Sequence, residues 1–278
     1  MIKNDMKQKL EKARLKVLNA IKEHGGTTLL STGITGDDAR MAKAAVDAGA
    51  KLLEPNHPAL ALARGIRGVN NMHDAEQIRH EVTLDQMLEA SRGVREVVGN
   101  DIYITTGVPG GFTEIFPVEL TDEDFKKISL AGIDGLHTHK SSLEDLKEWV
   151  EKAHKYGLLV DAYIGHPTDL HTFGVPAETP EDVARIAKEM EKIGVDFIGL
   201  MTGMSYEGVE AGQIHPFMVE RLKALKSAVS VPTIAEGGIN EANYKAFKEL
   251  GINILVVGTA LDNVAAQAVK DQVTKFIK

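Results

Sequence analysis

Short apolar runs alternate with helix-like segments along most of the chain. Ahead of the first run, residues 3–24 carry apolar side chains three or four positions apart, at Met6, Leu10, Ala13, Val17 and Ile21. This spacing places the side chains on one stripe of an amphipathic helix. Two glycines follow His24 and end the predicted helix.

Eight apolar runs after this helix predict β-strands. They cover residues 28–34, 50–54, 102–106, 132–138, 158–164, 195–201, 231–236 and 252–258. Most of them are nearly continuous in apolar residues, which is typical of parallel strands buried on both faces. The intervening segments carry helix start signals, such as Ser141 with Glu144 and Thr179 before Pro180.

The alternation predicts an α/β fold, namely a (β/α)8 TIM barrel with an extra N-terminal helix. Such a barrel takes roughly 250 residues, and eight strand–helix units fill the chain after residue 25. We therefore expect one barrel domain over residues 1–278, with residues 1–24 as the extra helix and residues 25–278 as the barrel. An open doubly wound sheet shows the same alternation, so the number of strands favours closure without proving it.

Composition narrows the classes of partner. The 278 residues carry a net charge of −8 and no cysteine. An acidic chain without a long basic run is not expected to bind nucleic acid or an anionic membrane surface. No stretch reaches the roughly 18 apolar residues of a membrane helix, and the N-terminus lacks an apolar signal core. We expect a cytoplasmic protein, with the leading and outer helices as candidate surfaces of a homo-oligomer.

Candidate site residues follow from the barrel prediction. Catalytic groups of TIM barrels lie at the C-terminal ends of the strands and in the loops that follow. The candidates at these positions are Glu54, His57, His137, His139, Asp161, His166, His171, Thr202 and Glu236. An ionised carboxylate within an apolar strand is costly unless it faces a polar pocket, which favours a functional role for Asp161 and Glu236.

Two glycine segments predict a phosphate site. Gly237 and Gly238 follow the seventh predicted strand, and Gly258 and Thr259 follow the eighth. Glycine lets backbone N–H groups approach an oxyanion, and a helix N-terminus beside them adds a favourable dipole. The loops after strands seven and eight are a common phosphate site in TIM barrels. The alternative is that these glycines only turn the chain between strand and helix.

His137 and His139 alternate along the fourth predicted strand, so both imidazoles share one face. Together with Asp161 and His166 they suit a divalent metal site. They suit proton transfer or substrate binding equally well, because histidine titrates near neutral pH. Two polar residues satisfied by hydrogen bonds in the loops are the third interpretation.

Residues 231–239 and 251–260 resemble the ribulose-phosphate-binding barrel superfamily. Within it, the run Ala235-Glu236-Gly237 is most similar to N-acetylmannosamine-6-phosphate 2-epimerases. The resemblance implies an active-site glutamate at Glu236 and a phosphate held at Gly237, Gly258 and Thr259. It also implies a family aspartate at Asp161. The chain departs from the epimerases in lacking a lysine on the third strand and in having Gly238 where they have an arginine.

These observations lead to an expected function. We expect an enzyme that acts on a small phosphorylated sugar or keto acid by proton abstraction next to a carbonyl, as an isomerase, epimerase or aldolase does. Glu236 or Asp161 is the expected base, and His137 and His139 are expected to donate to the developing enolate oxygen. The expected substrate contacts are Glu54, His57, His166 and Thr202. This interpretation requires no cofactor.

Two other functions remain open at this point. One is a metal-dependent lyase or hydrolase that uses His137, His139, Asp161 and His166 around a divalent metal. The other is a barrel that binds a phosphorylated metabolite without catalysis. A barrel fold alone does not choose among these functions.

Overall fold

The computed structural model describes residues 2–64, 67–112, 118–169, 172–203 and 213–278. His171, one of the candidate site residues, lies outside the described residues.

Nine strands are described in these ranges. They are β1 (Thr28–Ser31), β2 (Leu52–Leu53), β3 (Tyr103–Gly107), β4 (Gly135–Thr138), β5 (Leu159–Gly165), β6 (Val175–Pro176), β7 (Phe197–Met201), β8 (Thr233–Glu236) and β9 (Ile254–Val257).

Helices precede the first strand, follow the last and lie between most of the others. They are α1 (Ile2–Glu23), α2 (Ile34–Asp37), α3 (Ala39–Asp47), α4 (His57–Ala63), α5 (Met72–Ile78), α6 (Leu84–Val98), α7 (Asp122–Leu130), α8 (Leu143–Lys155), α9 (Pro180–Ile193), α10 (Pro216–Ala228), α11 (Tyr244–Glu249) and α12 (Thr259–Ile277). A 3₁₀ turn, Arg79–Glu81, follows α5. Among the helices in the described ranges, none combines the length and the apolar character needed to cross a bilayer.

Eight of the strands close into a ring. The order β4-β3-β2-β1-β9-β8-β7-β5 is completed by the pairing of β4 with β5, and the pairings are parallel. The short strand β6 pairs with the end of β5 and lies outside the ring. The predicted TIM barrel with an extra N-terminal helix is therefore confirmed.

Several element boundaries differ from the prediction. The seventh ring strand, β8, begins at Thr233 instead of residue 231, because Pro232 has no N–H to donate to a ladder. Strand β6 was not expected. The cap of α8 is Ser142, whose side chain accepts from the N–H of Asp145, so the expected Ser141 cap is wrong by one residue. The cap at Thr179 is confirmed.

Helix α1 closes the N-terminal end of the barrel. Ala13, Val17 and Ala20 pack against inward-facing strand residues such as Leu30 and Phe197. Buried apolar contacts thus fill the barrel interior at its N-terminal end, which we call the floor. The open end of the barrel is the C-terminal end, where the candidate site residues lie.

Two ion pairs hold α1 across this floor. Lys16 Nζ lies 2.8 Å from Asp134, which directly precedes β4, and Arg14 lies 2.5 Å from Asp196, which directly precedes β7. Both aspartates are buried. The two pairs tie α1 to two separate parts of the ring.

Candidate active site

A cavity of about 290 Å³ opens at the C-terminal end of the barrel. Polar side chains from several strand ends and loops reach it, namely Thr32, Asn56, Glu76, His137, His139, Glu236, Asn240, Thr259, Asp262 and Asn263. Phe112 and Phe173 form part of its apolar wall, and Gly33, Gly237, Gly238 and Gly258 complete the lining.

A hydrogen-bonded chain of side chains orients His137. His137 on β4 and Asp161 on β5 are register partners, and His137 Nδ1 lies 2.7 Å from Asp161 Oδ2. The other carboxylate oxygen of Asp161 accepts from Thr105 Oγ1 at 2.6 Å. Burial lowers the pKa of His137, but the carboxylates of Glu54, Glu236 and Asp161 outweigh this effect and raise it to about 10.

His139 is the partner of His137 on the cavity side. Their Nε2 atoms lie 2.9 Å apart, so one nitrogen donates and the other accepts. A protonated His137 donates from both nitrogens, which leaves the proton of His139 on Nδ1. Burial, followed by the positive charge of His137, lowers the pKa of His139 well below its ordinary value. The two imidazoles therefore carry one positive charge between them.

Two glutamates flank the pair at different depths. Glu54 is fully buried, and its Oε1 accepts from Asn56 Nδ2 at 3.0 Å. Burial raises the pKa of Glu54 to about 8 and also raises that of Glu236. Glu236 reaches the cavity with a side chain that is 19% exposed, and its Oε2 lies 3.7 Å from His137 Nε2. Among the described residues, Glu236 Oε2 has no hydrogen-bond partner.

The two predicted glycine turns face the same cavity. Gly237 and Gly238 have φ angles of 103° and 71°, which only glycine adopts readily. Gly258 immediately precedes α12, and a Cβ there would lie 2.8 Å from Thr32 Cγ2. Thr259 starts the helix at the cavity wall. Backbone amides and a helix N-terminus thus meet at one side of the cavity, which is the arrangement that favours an anion.

The structure separates the remaining candidates from the cavity lining. His57 is buried beneath it, with Nδ1 3.2 Å from the carbonyl oxygen of Gly107. Thr202 Oγ1 donates to the carbonyl oxygen of Gly237 at 2.8 Å, so it supports the glycine turn. His166 pairs with Thr168 Oγ1 at 2.7 Å on an exposed loop. Asp161 and Glu54 contact His137 from below. None of these five lines the cavity in the described structure.

Sequence reasoning missed part of the lining. Phe112 stacks edge-on against His139 with the ring centres 4.4 Å apart, and the glycines before it were the available signal. Glu76 comes from the long insertion after β2, where it pairs with Arg79 at 2.5 Å. Asp262 in the first turn of α12 accepts from the backbone N–H of Ile34. Glu76 was concealed by its distance along the chain from β2, whereas Phe112 and Asp262 lie only five residues past the ends of β3 and β9.

Three ligand-type side chains also converge at the cavity. Atoms of His137, His139 and Glu236 lie within 4.8 Å of one another. Two imidazoles and one carboxylate suit several transition metals, and a carboxylate bonded to the far nitrogen of a histidine is the usual way to orient a ligand. The Nε2 atoms of His137 and His139, which lie 2.9 Å apart, and the Glu236 carboxylate would hold the cation. This group can hold a divalent cation.

The chain is similar to curated enzymes whose names contain phosphorylated compounds. It is 28% identical over 198 residues to the thiamine-phosphate synthase of Clostridium acetobutylicum, covering 71% of this chain and 81% of the relative. It is 25% identical over 193 residues to the imidazole glycerol phosphate synthase subunit HisF of Lactococcus lactis subsp. cremoris, covering 63% and 70%.

Solved structures show the same fold at low identity. A tryptophan synthase from Pyrococcus furiosus superposes with a TM-score of 0.62 at 16% identity, covering 87% of this chain and 91% of that chain. A phosphonopyruvate hydrolase complexed with oxalate and Mg²⁺ gives 0.65 at 13% identity, covering 96% and 86%.

The family description "Histidine biosynthesis protein" matches residues 120–264, which is more than half of the chain. The narrower resemblance to N-acetylmannosamine-6-phosphate 2-epimerases stays a prediction. With the closed barrel and the relatives above, this match shows that the chain belongs to the histidine biosynthesis protein family, within the ribulose-phosphate-binding TIM barrel superfamily.

Proposed function

We propose that the protein is an enzyme that moves a proton next to the carbonyl group of a small phosphorylated sugar or keto acid. One observation carries the proposal: the two glycine turns and the Glu236–histidine group face one cavity of about 290 Å³. Ligand pockets usually measure about 300–1,000 Å³, so this volume suits a small metabolite. The relatives are enzymes whose names contain phosphorylated compounds, which supports the same class.

The phosphate group fits the glycine side of the cavity. Its oxygens would accept from the amides near Gly237 and Gly258 and from the first turn of α12. The two acids on this side already have partners, since Glu76 pairs with Arg79 and Asp262 accepts from Ile34. A phosphate fixed here points the remainder of the ligand at Glu236 and the histidines, which is how orientation lowers a barrier.

Glu236 is the base in this mechanism. Its side chain lines the cavity, and its Oε2 has no hydrogen-bond partner among the described residues, whereas Asp161 is covered by Thr105 and His137. Glu236 takes the proton from the carbon next to the carbonyl, and the carbonyl oxygen becomes an enolate. His139, whose proton is on Nδ1, donates to that oxygen, while the protonated His137 donates to His139 and Asp161 keeps His137 oriented. Return of a proton to the opposite face of the same carbon gives an epimer, and its return to the former carbonyl carbon of an enediol gives an isomer.

The test measures proton exchange with solvent. Sugar phosphates and phosphorylated keto acids are first screened by thermal shift, since a ligand that binds the folded state raises its melting temperature. NMR in D₂O then follows loss of the proton next to the carbonyl. We expect Glu236→Gln to retain the thermal shift and lose the exchange, and the exposed Glu249→Gln to behave like the wild type. Exchange at the wild-type rate in Glu236→Gln would refute the assignment, and binding without exchange in the wild type would favour a non-catalytic barrel.

A metal-dependent lyase or hydrolase is the second candidate. The convergence of His137, His139 and Glu236 within 4.8 Å favours it. In this case the protein purified without a histidine tag carries about one equivalent of divalent metal per chain, and His139→Ala loses it. Metal-free protein that is fully active after treatment with a chelator would exclude this candidate.

A further inference from the structure

Helix α12 exposes a long apolar stripe. Along the described chain, no residue of this 19-residue helix is buried. Leu261, Ala265, Val269, Val273 and Phe276 recur at intervals of three or four and so share one face. Val269 is 64% exposed, Val273 51% and Phe276 81%. A contiguous apolar surface of this kind marks an interaction site.

The barrel surface beside the start of α12 has a matching gap. The outward-facing Leu29 of β1 and Leu255 and Val257 of β9 line a groove of about 750 Å³, with Tyr244 of α11 at its edge. β1 and β9 are neighbours in the ring, where Leu29 pairs with Leu255. In a (β/α)8 barrel an outer ring of helices covers the strands, and the helix that follows β9 is α12. The groove is therefore the place that the last outer helix would fill.

The first turns of α12 line one side of this groove through Leu261 and Val264, and their direction keeps the remainder of the helix out of it. Asp262 accepts from the N–H of Ile34 at 2.8 Å. The carboxylate packs so closely on Gly33 that a Cβ there would lie 2.7 Å from Asp262 Oδ1. Thr259 and Ala260 at the same turn line the candidate active site. Folding the helix back would break these contacts.

We propose that α12 docks in the groove of a second copy of this chain, and that the second copy returns the same contact across a two-fold axis. A helix of 19 residues is about 28 Å long and about 10 Å wide. Each docked helix buries this area on its own surface and again on the groove, and the dimer contains two such contacts. The total buried area is therefore at least about 1,100 Å², above the roughly 1,000 Å² of a specific interface. The apolar stripe and the apolar groove are covered together.

This dimer does not depend on the reaction that the cavity performs. It does fix the helix whose first turn lines that cavity. The two subunits would then hold each other's α12 in place, while each active site keeps only its own residues.

The experiment is the mass of the full chain in solution, measured by light scattering and sedimentation over a wide concentration range. We expect a dimer for the wild type. Val269→Glu and Phe276→Glu, which place a charge on the apolar stripe, are expected to weaken the dimer by about a hundredfold or more. Gln267→Glu, on the opposite face of α12, is expected to remain dimeric. Circular dichroism checks that the variants stay folded.

Cross-linking identifies the surface. The wild-type chain has no cysteine, so a Lys248→Cys chain at the groove and a Val273→Cys chain in α12 can be mixed and treated with a bis-maleimide. We expect a covalent heterodimer of the two variants. A monomeric wild type, a Val269→Glu variant that dimerises like the wild type, or a dimer without this cross-link would each overturn the proposal.

Discussion

Replacing Gly237 by alanine tests the anion cradle at its tightest point. The residue has a φ of 103°, where a side chain costs about 1–2 kcal/mol. The new Cβ would also lie 2.9 Å from the backbone nitrogen of Gly203, which cannot rotate away as a side chain could. Overpacking of this kind costs about 1–3 kcal/mol. We expect a total loss of about 2–5 kcal/mol in the free energy of unfolding.

Gly251→Ala is the matched control. Its φ of 74° carries the same kind of backbone strain, but the nearest atom to its Cβ is Lys226 Cε at 3.8 Å. We expect a loss of only about 1–2 kcal/mol and normal ligand binding. Gly237→Ala should also displace the turn that Thr202 holds from below, and so weaken phosphate binding at least about tenfold.

Urea unfolding measures the two stabilities, and the shift in melting temperature with inorganic phosphate and sugar phosphates measures binding. The reasoning fails if both variants lose the same stability and Gly237→Ala keeps the wild-type phosphate shift. It also fails if the wild type shows no shift with any phosphorylated ligand of the panel.

Two further predictions concern stability. Asp134→Ala should lower the free energy of unfolding by about 3–5 kcal/mol, because it leaves Lys16, Arg95 and the N–H of Ile104 without the carboxylate to which they donate. Urea unfolding measures this loss, and an unchanged midpoint would contradict it. Burial raises the pKa of Asp37 well above its ordinary value. Below about pH 4 both states are protonated, and as pH rises the unfolded state alone ionises, so stability falls. Asp37→Asn should remove that decline between acidic and neutral pH, and equal pH profiles for variant and wild type would refute it.

The alternation of apolar runs predicted the barrel because each strand is covered on both faces. Closure itself depends on the pairing of β4 with β5, and no local pattern encodes that contact. The strand boundaries were less predictable. Pro232 lies within an apolar run but cannot donate to a ladder, and Asp134 lies within another run but belongs to an ion-pair network. The sequence also showed that residues 259–277 can form a helix, without showing which surface covers it.

The site was predictable where geometry follows from strand position. His137 and His139 share a face because side chains alternate along a strand, and Glu236 ends the seventh ring strand at the same rim. The roles within the cluster required the register of β4 and β5, which places Asp161 beneath His137. His166 directly follows β5, but its backbone N–H donates to the side chain of Asp169, and the chain turns away from the cavity.

The floor of the barrel has a consequence for how the chain is made. Arg14 reaches Asp196 over 182 positions and Lys16 reaches Asp134 over 118. At synthesis rates of about 5–20 residues per second, the amphipathic α1 leaves the ribosome roughly 10–35 seconds before the chain reaches Asp196. During that interval its apolar side is available to chaperones, so the floor of the barrel can be sealed only after Asp196 has been made.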